Sequence, residues 1–471
     1  MLAALAEAVD ARTIVTDPDL IEPWLHDWRG RYHGRAAALL QPVSTAEVAT
    51  IVRAAAAHRV ALVPQGGNTS MVGGATPPAD GSALILSLRR LNRIRSLDPT
   101  AGLAVAEAGV ILADLHDAAT AAGRRFPLTL GARGSATVGG LASTNAGGTQ
   151  VLRHGTMRGL VAGVEAVLPD GSVHEGLAAL KKDNRGYDLK ELLVGAEGTL
   201  GVITAATLRL QPAVIDRAVA WVGVADPSMA LALLRDMEAR TSAIESFELL
   251  PHESLAAVLR HEPNARAPLP SEHPWHVLVE AVDRAGDPPP AELLTTLLWE
   301  AMDTGLVRDA TIAASEAQAE AFWTIRDSIS AAERAQGPAT QHDISVPVEA
   351  MPAFLLDAAA ACEARFPGTH ASGFGHLGDG NVHFHVRAPA AVAAERWYAQ
   401  EAAVVTRFVH DLVVAAGGSI SAEHGIGQMK RDELARLSSP ARMAALHGIK
   451  AGLDPMGLFN PGKLILQPAT T

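Results

Sequence analysis

The sequence predicts an α+β fold, and three observations carry that expectation. Short strand-like apolar runs, bounded by glycine or proline, fill the first 212 residues. Beyond Pro212, long Ala/Leu-rich helical patterns alternate with short strands. From Asp454 the texture changes again, to a proline- and glycine-punctuated tail, DPMGLFNPGKL. The expected divisions are therefore residues 1–212, residues 213–453 and a terminal segment, residues 454–471.

Ser44-Thr45-Ala46-Glu47 opens a helix as a capping box, and Val48, Ile51 and Val52 supply its apolar stripe. Residues 59–63 read as a buried strand stopped by Pro64, with further strands at 83–88 and 103–108. Ala113 to Ala122 reads as a helix ending at Gly123, a typical C′ residue. The apolar run Val161 to Leu168 precedes Pro169-Asp170-Gly171, a hairpin signal. A last strand of this region, Val202 to Leu210, is broken by Gln211-Pro212. Helical patterns follow at 228–239, 290–303, 349–363 and 396–415, with a strand from Trp275 to Val282. The stretches 263–274 and 287–290 are proline-rich and read as surface loops.

The 471 residues hold 39 Lys+Arg against 51 Asp+Glu, a net charge of −12. A nucleic-acid binder needs a basic face to displace phosphate counterions, so that class is excluded as an expectation. One cysteine, Cys362, excludes a disulfide framework and any multi-thiolate metal site within the chain. The start, MLAALAEAVDARTIV, lacks a basic region ahead of its apolar residues and does not read as a signal peptide. No apolar run approaches the roughly 18 residues of a membrane span. A cytoplasmic protein is expected.

Three glycine-rich loops stand out in the first region. Pro64-Gln65-Gly66-Gly67-Asn68-Thr69 runs on through Gly73 and Gly74, directly after a strand. Paired glycines expose N–H groups and permit positive φ, so such a loop wraps phosphate oxygens without basic side chains. A second run, 131–148, mixes glycines with Ser135, Thr137, Ser143, Thr144 and Asn145, whose side chains can hydrogen-bond a cofactor. The third is Gly195 to Gly201. Each loop alone reads best as a turn; three in one domain point to a large phosphate-bearing ligand. The literal G-x-G-x-x-G at Gly373, Gly375 and Gly378 precedes a strand rather than a helix, and is a decoy.

The segment GHLGDGNVHFHV, 375–386, is the most chemically loaded. Strand alternation puts His383 and His385 on one face and Val382, Phe384 and Val386 on the other. A glycine turn can fold His376 back towards His383, and Glu423-His424 adds a carboxylate beside another imidazole. Two imidazoles and one carboxylate make a catalytic metal set. Hydrogen-bonded structural histidines explain the same residues about as well.

Taken together, PQGGNTSMVGG, TVGGLASTNAGGTQVLRHG, KDNRGYDLKELLVGAEGTLGVIT, GHLGDGNVHFHV, SAEHGIGQMKRDEL and DPMGLFNPGKL resemble, in order, the vanillyl-alcohol oxidase/p-cresol methylhydroxylase flavoproteins. The resemblance spans about Arg29 to Leu464 and lies in the branch of D-2-hydroxyglutarate and D-lactate dehydrogenases. It implies a two-subdomain FAD-binding domain, an α+β substrate (cap) domain carrying a metal, and a C-terminal segment packing back on the FAD domain.

FAD contacts carry over to Pro64, Gln65, Gly66, Gly67, Asn68, Thr69 and Gly73 in the first loop. In the second they fall on Gly131, Ser135, Thr137, Gly139, Gly140, Ser143, Thr144, Asn145, Gly147 and Gly148. Glu197, Gly198, Gly201, Ile203 and Asn460 complete that set. The first loop has no histidine or cysteine and Cys362 is distant in sequence, so FAD is expected to be non-covalent. His376, His383 and Glu423 match metal ligands, with zinc the leading ion, and His424 matches the catalytic base.

Arg326, Ser330, Gln341, His385 and His424 fall at substrate positions. Gln341 replaces the family's lysine, and His385 its asparagine. The implied reaction is oxidation of a D-2-hydroxy acid to the 2-oxo acid, with electrons passing to electron-transfer flavoprotein or a quinone. A homodimer is compatible with that family. Two rivals are a metal-dependent hydrolase, which leaves the glycine loops unexplained, and an electron-relaying flavin subunit of a glycolate-oxidase-like complex, which ignores the metal set.

Overall fold

A computed structural model describes residues 1–283 and 286–466. The chain divides into two units. The first takes residues 1–148, 154–213 and the chain from Glu423 onward; the second takes 149–153 and 214–422. The C-terminal return thus starts at Glu423, earlier than the Asp454 expected from composition. Two pieces explain why the division is not linear. Buried Glu245 of the second unit accepts from Arg153 Nη1 at 2.8 Å and Gln150 Nε2 at 3.1 Å, which draws 149–153 into that unit.

In the first unit, β1 (Ile14–Val15), β2 (Leu39–Leu40), β3 (Ala61–Gln65) and β4 (Ala83–Ser87) form a sheet ordered β1-β2-β4-β3. Helix α1 (Thr45–His58) packs Val48, Ile51 and Val52 into its core. Ser44 Oγ caps Glu47 N as expected, but Glu47 reaches past Ser44 to the N–H of Val43, so the box closes one residue early. Strand β3 passes through Pro64 instead of stopping there. It is an edge strand, where a missing N–H is tolerated.

A second sheet, ordered β5-β6-β10-β8-β9, is antiparallel throughout. Its strands are β5 (Ile94–Asp98), β6 (Leu103–Glu107), β8 (Val161–Val167), β9 (Val173–Gly176) and β10 (Val202–Arg209). Largely exposed β5 lacks the apolar signature and escapes the sequence reading. The pair β7 (Arg124–Arg125) and β11 (Gln211–Pro212) sits beside it, with α2 (Leu112–Ala121) and α3 (Val138–Thr144) over the core.

The second unit is built on one seven-stranded antiparallel sheet, ordered β15-β12-β14-β13-β17-β18-β16. The strands are β12 (Arg217–Val224), β13 (Ile244–Pro251), β14 (Trp275–Val282), β15 (Asp309–Ile312), β16 (Ala339–Ser345), β17 (His370–His376) and β18 (Asn381–Arg387). Helices α4 (Pro227–Arg240), α6 (Pro290–Asp303), α8 (Met351–Arg365) and α9 (Ala402–Ala415) pack one face. Helices α5 (His252–His261) and α7 (Glu316–Ala335) pack the other. Alternation on β12 serves both: Ala218, Ala220 and Val222 face the first set, Val219 and Trp221 the second. Helix α7 is absent from the helices expected from sequence. Its signals were present: Ser315 caps Gln318 N, and Ala319, Phe322, Ile325, Ile329 and Ala332 recur at helical spacing.

Candidate active site

The first unit builds a cradle from the glycine loops. A Cβ on Gly66 would collide with Thr137 Oγ1, and one on Gly67 with the Ser135 carbonyl. Only glycine lets the first loop lie against the 135–137 backbone. Positive φ falls elsewhere, at Asn68 (55°) and Gly73 (67°). Gln65 Nε2 donates to Trp24 O and Ala75 O, and Asn68 Nδ2 to His26 O, so side chains shape the loop. In the second loop, Gly139 is pressed on Ala108 and Gly148 on the Thr129 carbonyl, whereas Gly131 faces open space.

The small polar side chains divide in role. Thr144 Oγ1 donates back to Gly140 O within its helix, and Asn145 Oδ1 accepts from the N–H of Arg158, thirteen residues on, tying the loop to the following helix. Thr137 Oγ1, Gln65 Oε1 and Asn460 Oδ1 are buried with no hydrogen-bond partner among the described residues. Buried polar atoms are normally satisfied, so three orphans at these loops fit a polar ligand such as a dinucleotide cofactor. The Ile203 side chain is in the core, which leaves only its backbone for such a ligand.

Glu197, at φ 52°, turns its carboxylate to the N–H groups of Ile426 and Gly427, each 2.7 Å away. Burial pushes its pKa up, against those two hydrogen bonds. Asn460 Nδ2 donates to Glu197 O and Gly74 O, and residues 458–460 bond along β3 through Leu62. The C-terminal segment therefore braces the first and third glycine loops together.

In the second unit, alternation puts the chemistry on one sheet face. Val382, Phe384 and Val386 of β18 enter the core under α8 and α9, and Phe247, Leu249 and Ile344 do the same. Their neighbours Glu248, Gln341, Asp343, His383 and His385 therefore face α7. The rings of His383 and His385 pack on Phe374, and the β17–β18 turn brings His376 to 5.6 Å from His383, centroid to centroid. Helix α7 places Arg326 and Ser330 one turn apart above that face.

Glu248, which sequence reasoning missed, organises this group. It is the register partner of His376. Its Oε1 lies 2.6 Å from His376 Nδ1 and its Oε2 accepts from Arg326 Nε at 2.8 Å. Burial raises its pKa, but the neighbouring Arg326 charge and His376 outweigh that and hold it at about 2. The available signal was a carboxylate inside the apolar run IESFELLP. Arg326 Nη2 also approaches His376 Nε2 at 3.2 Å, so its charge is shared within this trio. Glu423 and His424 open the C-terminal return, one and two residues past Ala422, whose N–H donates to Asp343 O at 3.4 Å.

Residues 36–176 match the FAD binding domain, and residues 215–464 match the C-terminal domain of FAD linked oxidases. The mitochondrial D-2-hydroxyglutarate dehydrogenase of Bos taurus is 38% identical over 98% of this chain and 83% of its own. That of Xanthomonas citri is 36% identical over 98% and 96%. The chain belongs to the FAD-linked oxidase family.

Within the FAD-linked oxidases it falls in the branch of D-2-hydroxyacid dehydrogenases, and it is an FAD-dependent oxidoreductase. The D-2-hydroxyglutarate–pyruvate transhydrogenase of Saccharomyces cerevisiae is also similar, at 34% identity over 95% of this chain and 90% of its own. The fold is that of p-cresol methylhydroxylase, with a TM-score of 0.76 at 14% identity over 100% of this chain and 97% of that one. The 4-ethylphenol oxidase of Gulosibacter chungangensis superposes with a TM-score of 0.70 at 19% identity, over 99% and 97%. The expected vanillyl-alcohol oxidase-type architecture is thereby borne out. The first two glycine loops lie inside the matched FAD binding domain, so the hydrolase reading loses its ground.

Proposed function

We propose that the chain oxidises a D-2-hydroxy acid, D-2-hydroxyglutarate or a D-lactate-like acid, to the 2-oxo acid, and hands the electrons to electron-transfer flavoprotein or a quinone. One observation carries the reading: Gln341, His376, His383 and His385 share a sheet face with Arg326 above it, in a chain whose other unit has the FAD cradle. FAD, when bound, supplies the acceptor for the hydride that leaves Cα. It is held by backbone and small side chains of the cradle. Cys362, buried in the other unit's core, supports non-covalent binding.

His376, His383 and Glu423 are the residues to hold a divalent ion, zinc first, which would polarise the substrate hydroxyl. Glu248 fits that role for His376, because ligating imidazoles commonly give their second nitrogen to a carboxylate. His424 takes the hydroxyl proton as general base. Arg326 attracts the substrate carboxylate, with part of its charge already answered by Glu248. Gln341 and His385 line the neighbouring strands and set which acid fits.

Reduction of an artificial dye by a panel of D- and L-2-hydroxy acids tests the reading. Turnover confined to D-acids, abolished by chelation and restored by Zn²⁺, Mn²⁺ or Co²⁺ with flavin retained throughout, is the expected result. Equal turnover of L-acids, or full activity in metal-free protein, overturns the corresponding assignment.

A further inference from the structure

We propose that Glu22, His26 and His33 form a separate site for a zinc-class divalent ion, beside the first glycine loop. Glu22 begins a single 3₁₀ turn, Glu22–Trp24, and His26 follows four residues after it. That spacing brings His26 Nε2 to 2.6 Å from Glu22 Oε1. Asp27 then accepts from the N–H groups of Arg29 and Tyr32 and reverses the chain. His26 and His33 meet across an antiparallel bridge, their rings edge-on at 79° with centroids 4.0 Å apart. His33 Nε2 stands 4.0 Å from the same Glu22 oxygen, and one ligand atom from each residue lies within 4.8 Å of the others.

Two imidazoles and a carboxylate suit Zn²⁺, Ni²⁺ or Cu²⁺ and not Mg²⁺ or Ca²⁺, which prefer all-oxygen sets. Three ligands from one side leave the remaining positions to water. The three side chains are 42–54% exposed, so an ion reaches them without crossing the interior. The backbone bridge already sets the two histidines opposite each other, so little ordering is left for the ion to impose. The bland alternative is an ordinary i,i+4 Glu–His contact, which accounts for His26 but not for His33.

The same hairpin supports the cradle: the Trp24 and His26 carbonyls accept from Gln65 and Asn68. An ion bound here closes the base of the hairpin and favours the folded state by mass action. None of its ligands belongs to the His376 set, so this site stands or falls independently of the catalytic reading.

The test strips the full-length flavoprotein with a chelator, titrates Zn²⁺ or Ni²⁺ by calorimetry, and counts bound metal after gel filtration. The His26→Ala/His33→Ala chain is expected to bind one equivalent fewer than the unaltered chain, and to gain a smaller rise in Tm on adding Zn²⁺. Glu22→Gln keeps the shape and weakens that equivalent by about 10-fold, the low end for losing one well-placed ligand contact. Flavin absorbance reports that each variant is folded. Equal metal counts and equal Zn²⁺-induced shifts in the unaltered and double-variant chains overturn the proposal. If the double variant loses its flavin, an unaltered affinity in Glu22→Gln overturns it instead.

Discussion

Gln341 and His385 are register partners across the β16–β18 pair, and Asp343 and His383 are the next such pair on the same face. Both departures from the pattern that the resemblance implies therefore lie at a single place, two residues from a candidate metal ligand. Facing residues couple, so they are best altered together.

The Gln341→Lys/His385→Asn double variant restores the family pattern. An amide donates a hydrogen bond to a carboxylate without charge, and a charge-assisted bond is roughly twice as strong, a difference of about 1–2 kcal/mol. The ranking of kcat/KM across D-lactate, D-malate, D-2-hydroxyglutarate and bulkier apolar acids is expected to change, with dicarboxylates gaining. A common shift of all substrates by one factor would show that the two residues do not set specificity.

His424→Ala is expected to stay folded and yellow while losing about 10²–10⁴-fold in turnover, as removal of a general base does. Steady-state dye reduction at neutral pH, with flavin content as the control, measures it. Near-normal turnover removes His424 from the role.

Glu248→Gln keeps the shape of the side chain but takes away the charge that His376 and Arg326 share. On the proposed metal reading, zinc affinity falls about 10–100-fold, the usual cost of altering the partner of a metal-bound imidazole. Glu248→Ala goes further, because it takes the buried carboxylate away from the largely buried Arg326 guanidinium, and should cost about 3–5 kcal/mol of stability. Metal content after dialysis and denaturant unfolding separate the two effects. Unchanged zinc affinity in Glu248→Gln excludes an orienting role.

Cys362 is wholly buried in the core of the second unit, and burial pushes its thiol up to about 12. The folded state therefore keeps a proton that the unfolded state releases near pH 9, so this residue's contribution to stability falls as pH rises from about 9 towards 12. Below that window it is neutral and inert. A thiol reagent at pH 8 is expected to label it only after unfolding. Rapid labelling of the native flavoprotein would contradict the burial.

Much of this protein was legible from sequence because the signals are local. The Ser44 cap, the hairpin at Asp170-Gly171, and the alternation His383/His385 against Val382/Phe384/Val386 depend on residues within a few positions of each other. The order of motifs was enough for the family. What local pattern does not carry is which distant strands become neighbours. Glu248 lies 128 residues from His376 and 78 from Arg326, and only the β13–β17 pairing and the packing of α7 make the three one group. Thr144 and Asn145 have the chemistry of cofactor ligands, and only the tertiary structure shows that the Thr144 hydroxyl also bonds back to Gly140 O and that the Asn145 amide oxygen also accepts from the distant Arg158 N–H. The return at Glu423 was likewise invisible to composition. It is anchored by the Glu197 carboxylate, which satisfies the backbone of residues 426 and 427 where an N–H without a partner is costly, and by the Val72 and Gly73 carbonyls, which accept from residues 428 and 429.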